Sequence, residues 1–460
     1  MPMLRPVNPT TGEPLEPIPC TPLEEIPDRI SAARRAQPAW DDLGYERRRA
    51  LILAARETLR ERVGAISGWV HAEMGKLPAA ARGEVEAYLR GIEGDLDTMA
   101  KALVPEELPF EGGVTRVHHV PHGVAAIVTP WNFPVGMPLT LLVPALAAGN
   151  TVVFKPSEIS TRTGLAVADA FRAHLPEGVL QVVAGADAEG AALVSAEVDL
   201  IAFIGSREGG KKILEAASRR AARVLLEMGG KDAMVVASDA NLDAAAAFAT
   251  RGSFSNAGQV CCSVERIYVE AHAEGAFLEK LLSETRKVVV GEAPALTEAG
   301  KTPPLCIGPL ASEQQLHHVE RNVQEAVRMG ARLLAGGRRR GDRGNHFEPT
   351  VLAGVRGDMA IMREETFGPV ACVQSVASIE EGIRLANDTR YGLTATLWTG
   401  DEARGRQIAL RLEAGCIGVN RSFGGAHDMP WAGTKESGYG HTRGVSGMRH
   451  FLQPRSVTTR

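Results

Sequence analysis

Little in this sequence points to disulfides, membranes or nucleic acids. Six cysteines are scattered over 460 residues, too thin a spread for a disulfide framework, so the thiols are expected to be reduced. No cysteine pair has zinc-ligand spacing, and no metal is expected. Positive charge is not in excess: 51 Lys and Arg stand against 55 Asp and Glu, a net charge of -4. Neither nucleic acid nor an anionic membrane is therefore expected as a partner. The stretches Arg47–Arg49 and Arg338–Arg340 are short and separate, and read as solvated faces. The longest apolar run, Met137–Ala148, is broken by Pro138 and Pro144 and falls short of the roughly 20 residues a bilayer requires. Met1–Leu15 is rich in Pro and Thr and lacks the charged-then-apolar order of a signal peptide. A cytoplasmic protein is the expectation. Internal repeats and low-complexity segments are missing too.

What is there is a globular composition, 44% hydrophobic and 23% charged, in a chain long enough for two or three domains. Leu51, Ala55, Leu59, Val63, Ile66 and Val70 recur at helical spacing, and Asp41-Asp42 reads as their start signal. Gly112-Gly113 marks a turn, and Val114, Arg116, His118 and Val120 alternate after it, predicting a hairpin that leaves the body of its domain. From Gly123 onward, short apolar runs alternate with Ala-rich helical segments. The runs are 123–128, 151–154, 178–183 and 199–204. Buried parallel strands have this character, so a doubly wound α/β domain is predicted. A second α/β alternation runs from near Lys231 to about Ser437. The break between the two is inferred from motif positions, since no linker is visible.

Four local features carry chemistry. In Asn256-Ala-Gly-Gln-Val-Cys261-Cys262, a thiol beside glycine and small residues suits a tight turn that a ligand can approach, and its thiolate would be a strong nucleophile. Taken alone, the two cysteines read more readily as buried core thiols. In Leu226-Glu227-Met228-Gly229-Gly230-Lys231, a carboxylate at a strand end could serve as a general base with a raised pKa, or could simply precede a turn. Prolines on both sides stiffen Thr129-Pro130-Trp131-Asn132-Phe133-Pro134, where an Asn amide could donate to an oxyanion; a Pro-rich turn packed by its aromatics is the plainer reading. Lys155-Pro156-Ser157-Glu158 and Phe203-Ile204-Gly205-Ser206 follow strands, and Gly209-Gly210 opens a helix. Together these suit a ribose diol and a pyrophosphate, although neither a GxGxxG nor a phosphate loop is present.

In order, Pro130–Pro134, Lys155–Glu158, Phe203–Ser206, Glu227–Lys231, Gly258–Cys261, Glu365-Thr-Phe-Gly-Pro369 and Lys435-Glu-Ser-Gly438 resemble the motifs of the aldehyde dehydrogenase superfamily, from about Pro6 to the C-terminus. The resemblance implies NAD(P)-dependent, non-acylating oxidation of an aldehyde to a carboxylic acid through a hemithioacetal and thioester on Cys261. It implies an oxyanion site at Asn132 and the Cys261 N–H, with Glu227 as general base for hydrolysis. Thr129, Trp131, Lys155, Ser157, Glu158, Gly205, Ser206, Glu365 and Phe367 would surround the cofactor. NAD is favoured because Glu158 repels a 2′-phosphate, while Lys155 and Ser157 leave NADP possible.

The resemblance also implies a division into a doubly wound dinucleotide-binding domain (1–100 and 121–229), an α/β catalytic domain (230–437) and a small β oligomerisation arm (101–120 and 450–460). Such an arm predicts a homodimer or homotetramer. By the same resemblance Phe133, Met137, Val260, Cys262 and Trp431 would lie near the substrate tunnel. Their apolar character suggests an apolar or aromatic aldehyde, whereas Arg421 and His427 could greet a carboxylated semialdehyde. Coenzyme A transfer is disfavoured by the presence of Glu227, and a cofactor-independent esterase would not need the Lys155–Glu158 crevice. A non-catalytic scaffold is disfavoured by intact Cys261, Glu227 and Asn132. Two departures stand out. Gly440-His441-Thr442-Arg443 replaces the common Gly-Arg-Glu, where an effect on local packing is expected. Arg207 takes the place of a small hydroxyl residue and is expected to point to solvent.

Overall fold

The computed structural model describes residues 2–291 and 304–460. Apolar runs of four to six residues become buried strands because both their faces are covered. In Val124–Val128, Ala125 and Ile127 join one hydrophobic cluster while Val124 and Ala126 join another. The strand Thr151–Lys155 divides in the same way, Val152 and Phe154 facing one side and Val153 the other. That alternation is the doubly wound arrangement.

Six strands form this first sheet, in the order Gly438–Tyr439, Arg223–Met228, Leu200–Gly205, Val124–Val128, Thr151–Lys155, Leu180–Val182. All neighbours are parallel except the edge strand Gly438–Tyr439, which runs antiparallel to Arg223–Met228. The chain builds outward from Val124–Val128 in one direction and then crosses to Leu200–Gly205 on the other side. The reversal leaves a crevice beyond the carboxyl ends of those two strands, where such folds bind ligands.

A second sheet has seven strands, ordered Arg332–Ala335, Thr350–Ala353, Val370–Val376, Val264–Glu270, Asp232–Val236, Thr394–Trp398, Cys416–Val419. It is parallel apart from its first strand. Only residues 229–231 separate the end of Arg223–Met228 from the start of Asp232–Val236, so the two sheets meet at the Gly229-Gly230 turn. A small third sheet pairs Leu452–Thr459 with Gly113–Pro121, and Gly113–Pro121 with Glu106–Phe110, all antiparallel. Leu108, Phe110 and Val457 are exposed on it.

One local expectation is corrected. Asp41-Asp42 closes the helix Ile26–Asp42 and does not open the next one. Tyr45–Glu61 begins after Gly44, whose φ of 74° is the left-handed turn that glycine favours. The apolar series from Leu51 to Val70 spans two helices, Tyr45–Glu61 and Val63–Met74, broken at Arg62. Its face is buried nonetheless, from Ala55 through Val70. Among the described residues no helix is long and apolar enough to cross a membrane, and no cluster of three or more His, Cys, Asp or Glu could hold a metal.

Candidate active site

Cys261 lies in the loop before the strand Val264–Glu270, just past a tight turn. Asn256 and Ala257 have φ of 53° and 57°, and Gly258 has φ of 72°. A Cβ on Gly258 would stand 2.0 Å from the Gly368 carbonyl oxygen, so only glycine permits that approach. Gln259 is buried and locks the loop: its Nε2 donates to the carbonyls of Asn256 (3.0 Å) and Pro309 (3.2 Å), and its Oε1 accepts from Ala311 N–H (2.8 Å).

The loop 129–135 faces it. Asn132 Nδ2 donates to the Gln259 carbonyl at 3.2 Å, leaving its second amide N–H without a partner among the described residues. Its carbonyl accepts from Lys76 Nζ at 3.0 Å. Lys76 in turn pairs with Glu84 in the interior, and Glu84 Oε1 accepts from the N–H groups of Val135 (3.0 Å) and Gly136 (3.1 Å). This buried pair therefore sets the loop that carries Asn132, a role no local motif at Lys76 or Glu84 announces.

Glu227 sits near the end of Arg223–Met228, beside Cys261 and the Trp431 indole. Its Oε1 is buried with no hydrogen-bond partner among the described residues. Burial is the main cause that raises its pKa; the neighbouring Cys261 and Trp431, and the charge of Arg443, work against the rise. The Cys261 thiol is also pushed well up, first by the Cys262 thiol and then by burial and the Glu227 carboxylate. A buried carboxylate thus stands beside the thiol.

Cys261, Glu227 and Asn132 open on one crevice of about 540 Å³. Trp131, Met137, Glu158, Gly205, Ser206, Glu365 and Phe367 line it as well. Ser206 caps the helix Arg207–Ser218, its Oγ accepting from Gly209 N–H at 3.1 Å, so that helix start meets the crevice with its free N–H groups. Glu365 comes from the opposite side and accepts from Gly230 N–H at 3.0 Å; burial pushes its pKa well up. The segment that carries it is pinned by Glu265, whose carboxylate takes N–H groups from Thr366 (2.8 Å) and Phe367 (2.9 Å) and pairs with buried Lys231. Phe367, at φ 50°, meets Trp131 edge-on with ring centres 5.4 Å apart.

Three of the expected cofactor residues stand behind this lining. Thr129 is buried, its Oγ1 without a hydrogen-bond partner among the described residues. Lys155 is buried, its Nζ donating to the Pro156 carbonyl at 3.4 Å. Ser157 caps the turn Glu158–Ser160 through Ile159 N–H. Of the expected tunnel residues, Met137 alone is on the crevice wall. Cys262 adjoins Cys261, Trp431 adjoins Glu227, and Phe133 carries Lys76 Nζ 3.9 Å above its ring. Val260 is partly exposed, in the same loop as Cys261. Arg207 does not point to solvent: it pairs with Glu436 and Glu208, and ties the first helix of the crevice to the C-terminal segment. Arg421 donates to the Gly424 carbonyl of its own loop at 2.9 Å, and His427 pairs with Asp95 at 3.2 Å. Both groups are already engaged.

Residues 2–457 match the profile of the Aldehyde dehydrogenase family. A protein of Mycobacterium tuberculosis, named as a candidate NADP(+)-dependent succinate-semialdehyde dehydrogenase, is 35% identical over 457 residues, covering 98% of this chain and 87% of its own. The crystal structure of lactaldehyde dehydrogenase from Escherichia coli superposes with a TM-score of 0.94 at 32% identity, over 100% of this chain and 96% of the other. An NAD-dependent aldehyde dehydrogenase from Sinorhizobium meliloti gives 0.93 at 33% identity, over 100% and 91%.

Proposed function

This chain belongs to the aldehyde dehydrogenase family and is an NAD(P)-dependent oxidoreductase, and from that premise we propose that it oxidises an aldehyde to the free acid with Cys261, Asn132 and Glu227 as its catalytic residues. The observation that carries the assignment is the convergence of the three on one crevice, with a buried Glu227 oxygen left unpartnered among the described residues. Native structures keep such an orphan where a water or a reacting group takes its place.

In this reading the Cys261 sulfur attacks the aldehyde carbon as its proton passes to a base, and the carbonyl oxygen becomes an oxyanion. The unused Asn132 N–H and the Cys261 backbone N–H stabilise that charge, a preorganised contribution of the kind that dominates acyl-transfer catalysis. Loss of hydride converts the hemithioacetal to a thioester; the dinucleotide supplies the hydride acceptor when bound. Glu227 then takes a proton from water, the hydroxide adds to the thioester carbon, and the acid leaves with the thiol restored. The residues present fit a dinucleotide: a helix start with Ser206 for the pyrophosphate, Glu158 for one ribose and Glu365 for the other. The Glu158 carboxylate favours NAD over NADP.

The same reading gives the three-stranded sheet a role in assembly. Its Glu106–Phe110 edge presents exposed Leu108 and Phe110, an edge that proteins cover by pairing, so a homodimer or homotetramer is proposed. The division into a dinucleotide-binding domain, a catalytic domain and this arm follows the two large sheets and the small one. Coenzyme A as acceptor would leave the buried carboxylate of Glu227 without a purpose.

The test is NADH formation by purified protein with a panel of aldehydes. Cys261→Ala abolishes it while NAD binding persists, and Asn132→Ala lowers kcat by roughly 100- to 1000-fold. Full turnover in the Cys261→Ala variant would exclude the mechanism.

A further inference from the structure

Asn256 begins the left-handed turn that leads into Cys261. Asn256, Ala257 and Gly258 follow one another at φ of 53°, 57° and 72°. Asn and Gly enter that region readily as single residues, but an alanine between them is held there against its own preference. Such a backbone persists where the structure around it over-determines it. Asn256 and Gln259 supply that constraint by bonding each other in both directions. The Asn256 carbonyl accepts from the Gln259 N–H at 3.1 Å and from Gln259 Nε2 at 3.0 Å. In return, Asn256 Nδ2 donates to the Gln259 carbonyl at 3.0 Å.

The same amide reaches beyond the turn. Asn256 Nδ2 also donates to the main-chain carbonyl of Asn132 at 3.3 Å, across 124 residues of sequence. That carbonyl already takes Lys76 Nζ at 3.0 Å, and the Gln259 carbonyl already takes Asn132 Nδ2 at 3.2 Å. A carbonyl oxygen has two lone pairs, and a side-chain amide nitrogen has two N–H groups. Both carbonyls of this ring are therefore fully used, and so is Asn256 Nδ2. The second N–H of Asn132 is the member of the ring left without a partner among the described residues. Its direction is set by the bonds around it.

We propose that Asn256 is a positioning residue for the oxyanion: it clamps the Asn132 loop to the Cys261 loop and so aims the free Asn132 N–H at the reacting oxygen. This rests on the catalytic reading above, in which Asn132 stabilises that charge. A donor is most effective when it is held in place before the charge develops, and small misplacements in a site lose much of the rate. The Cys261 loop does not depend on the Asn256 side chain to the same degree. Gln259 holds that loop through Pro309 and Ala311, and through a main-chain carbonyl of residue 256 that any side chain leaves in place.

The experiment is a double-mutant cycle in the full-length enzyme, read as the single-turnover rate of NADH formation at saturating NAD and aldehyde. Asn256→Gly removes the amide and keeps a residue that accepts the left-handed turn. It lowers that rate about tenfold, the size of a lost hydrogen bond, with KM for NAD unchanged. In an Asn132→Ala background the same change lowers the rate less than about twofold, because residues that act through one another are not additive. Alkylation of Cys261 by iodoacetamide forms no oxyanion, so its rate matches wild type. Asn256→Asp, which tolerates the turn but has no side-chain N–H, carries the same cycle should the glycine variant fail to fold. A wild-type rate in Asn256→Gly, an equal loss in both backgrounds, or a matching loss in Cys261 alkylation overturns the assignment. Failure of every aldehyde to yield NADH, or a full rate in Asn132→Ala alone, would instead sink the catalytic reading, so the two failures are distinguishable.

Discussion

Glu365 accepts a hydrogen bond from the backbone N–H of Gly230 at 3.0 Å, three residues beyond Glu227. One contact thus fixes a carboxylate from the loop before the strand Val370–Val376 against the turn that follows the proposed base. A Cβ on the neighbouring Gly229 would stand 2.3 Å from both Glu365 carboxylate oxygens. Gly229→Ala should therefore displace Glu365 and raise KM for NAD by about tenfold or more, with a weaker effect on KM for the aldehyde. Initial-rate kinetics varying NAD and aldehyde separately would check this; unchanged KM for NAD would remove Glu365 from the cofactor site.

Glu227 should be visible in the pH profile. Its pKa is raised, chiefly by burial, so the working carboxylate forms only above the ordinary Glu range near about 4.3. The steady-state rate should rise with pH through that shifted value. In Glu227→Gln the limb should vanish, with a first burst of NADH followed by a stalled thioester. A Gln variant with wild-type steady-state turnover would exclude the role.

Lys76 and Glu84 are buried partners, with side chains 5% and 2% exposed. Removing one leaves the other as an uncompensated charge in the interior, a loss of about 3–5 kcal/mol. Lys76→Met should show that loss in denaturant unfolding. Its surviving folded fraction should have reduced kcat, because the Asn132 carbonyl and the Val135–Gly136 turn lose their anchor. Wild-type stability would mean the pair is dispensable.

Where the C-terminal strand leaves the body, His450 Nε2 lies 3.1 Å from His441 Nδ1, and His122 Nε2 lies 3.1 Å from the His450 carbonyl. Burial lowers the pKa of all three; His441 and His122 add to the effect on His450. Asp199 pulls His122 back up, and Arg223 pushes it further down. A histidine with a depressed folded pKa binds fewer protons when folded than when unfolded. Its stabilisation is complete above the unfolded value of about 6.5 and is lost as pH falls through the lower folded value. Melting temperature should drop between pH 7.5 and 5, and His450→Gln should flatten the drop. A histidine-independent acid transition would contradict this.

The misreadings have specific physical causes. Asp41-Asp42 has the composition of a helix start, but Gly44 at φ 74° supplies the actual break three residues later. Arg207 looked solvated because its partner Glu436 is 229 residues away in the chain. Lys76 and Glu84 carry no motif; their effect on Asn132 acts through a main-chain carbonyl 56 residues distant.

Local chemistry along the chain was enough to settle the apolar strands of the doubly wound sheet, the glycine that lets Cys261 turn, and the family order of the motifs. These depend on residue size, backbone freedom and polarity, which are properties of neighbours in sequence. The shared crevice of Cys261 and Glu227 and the buried ion pairs behind it were decided only by folding. Burial and charge pairing depend on distances that exist once two sheets and a C-terminal segment have packed together.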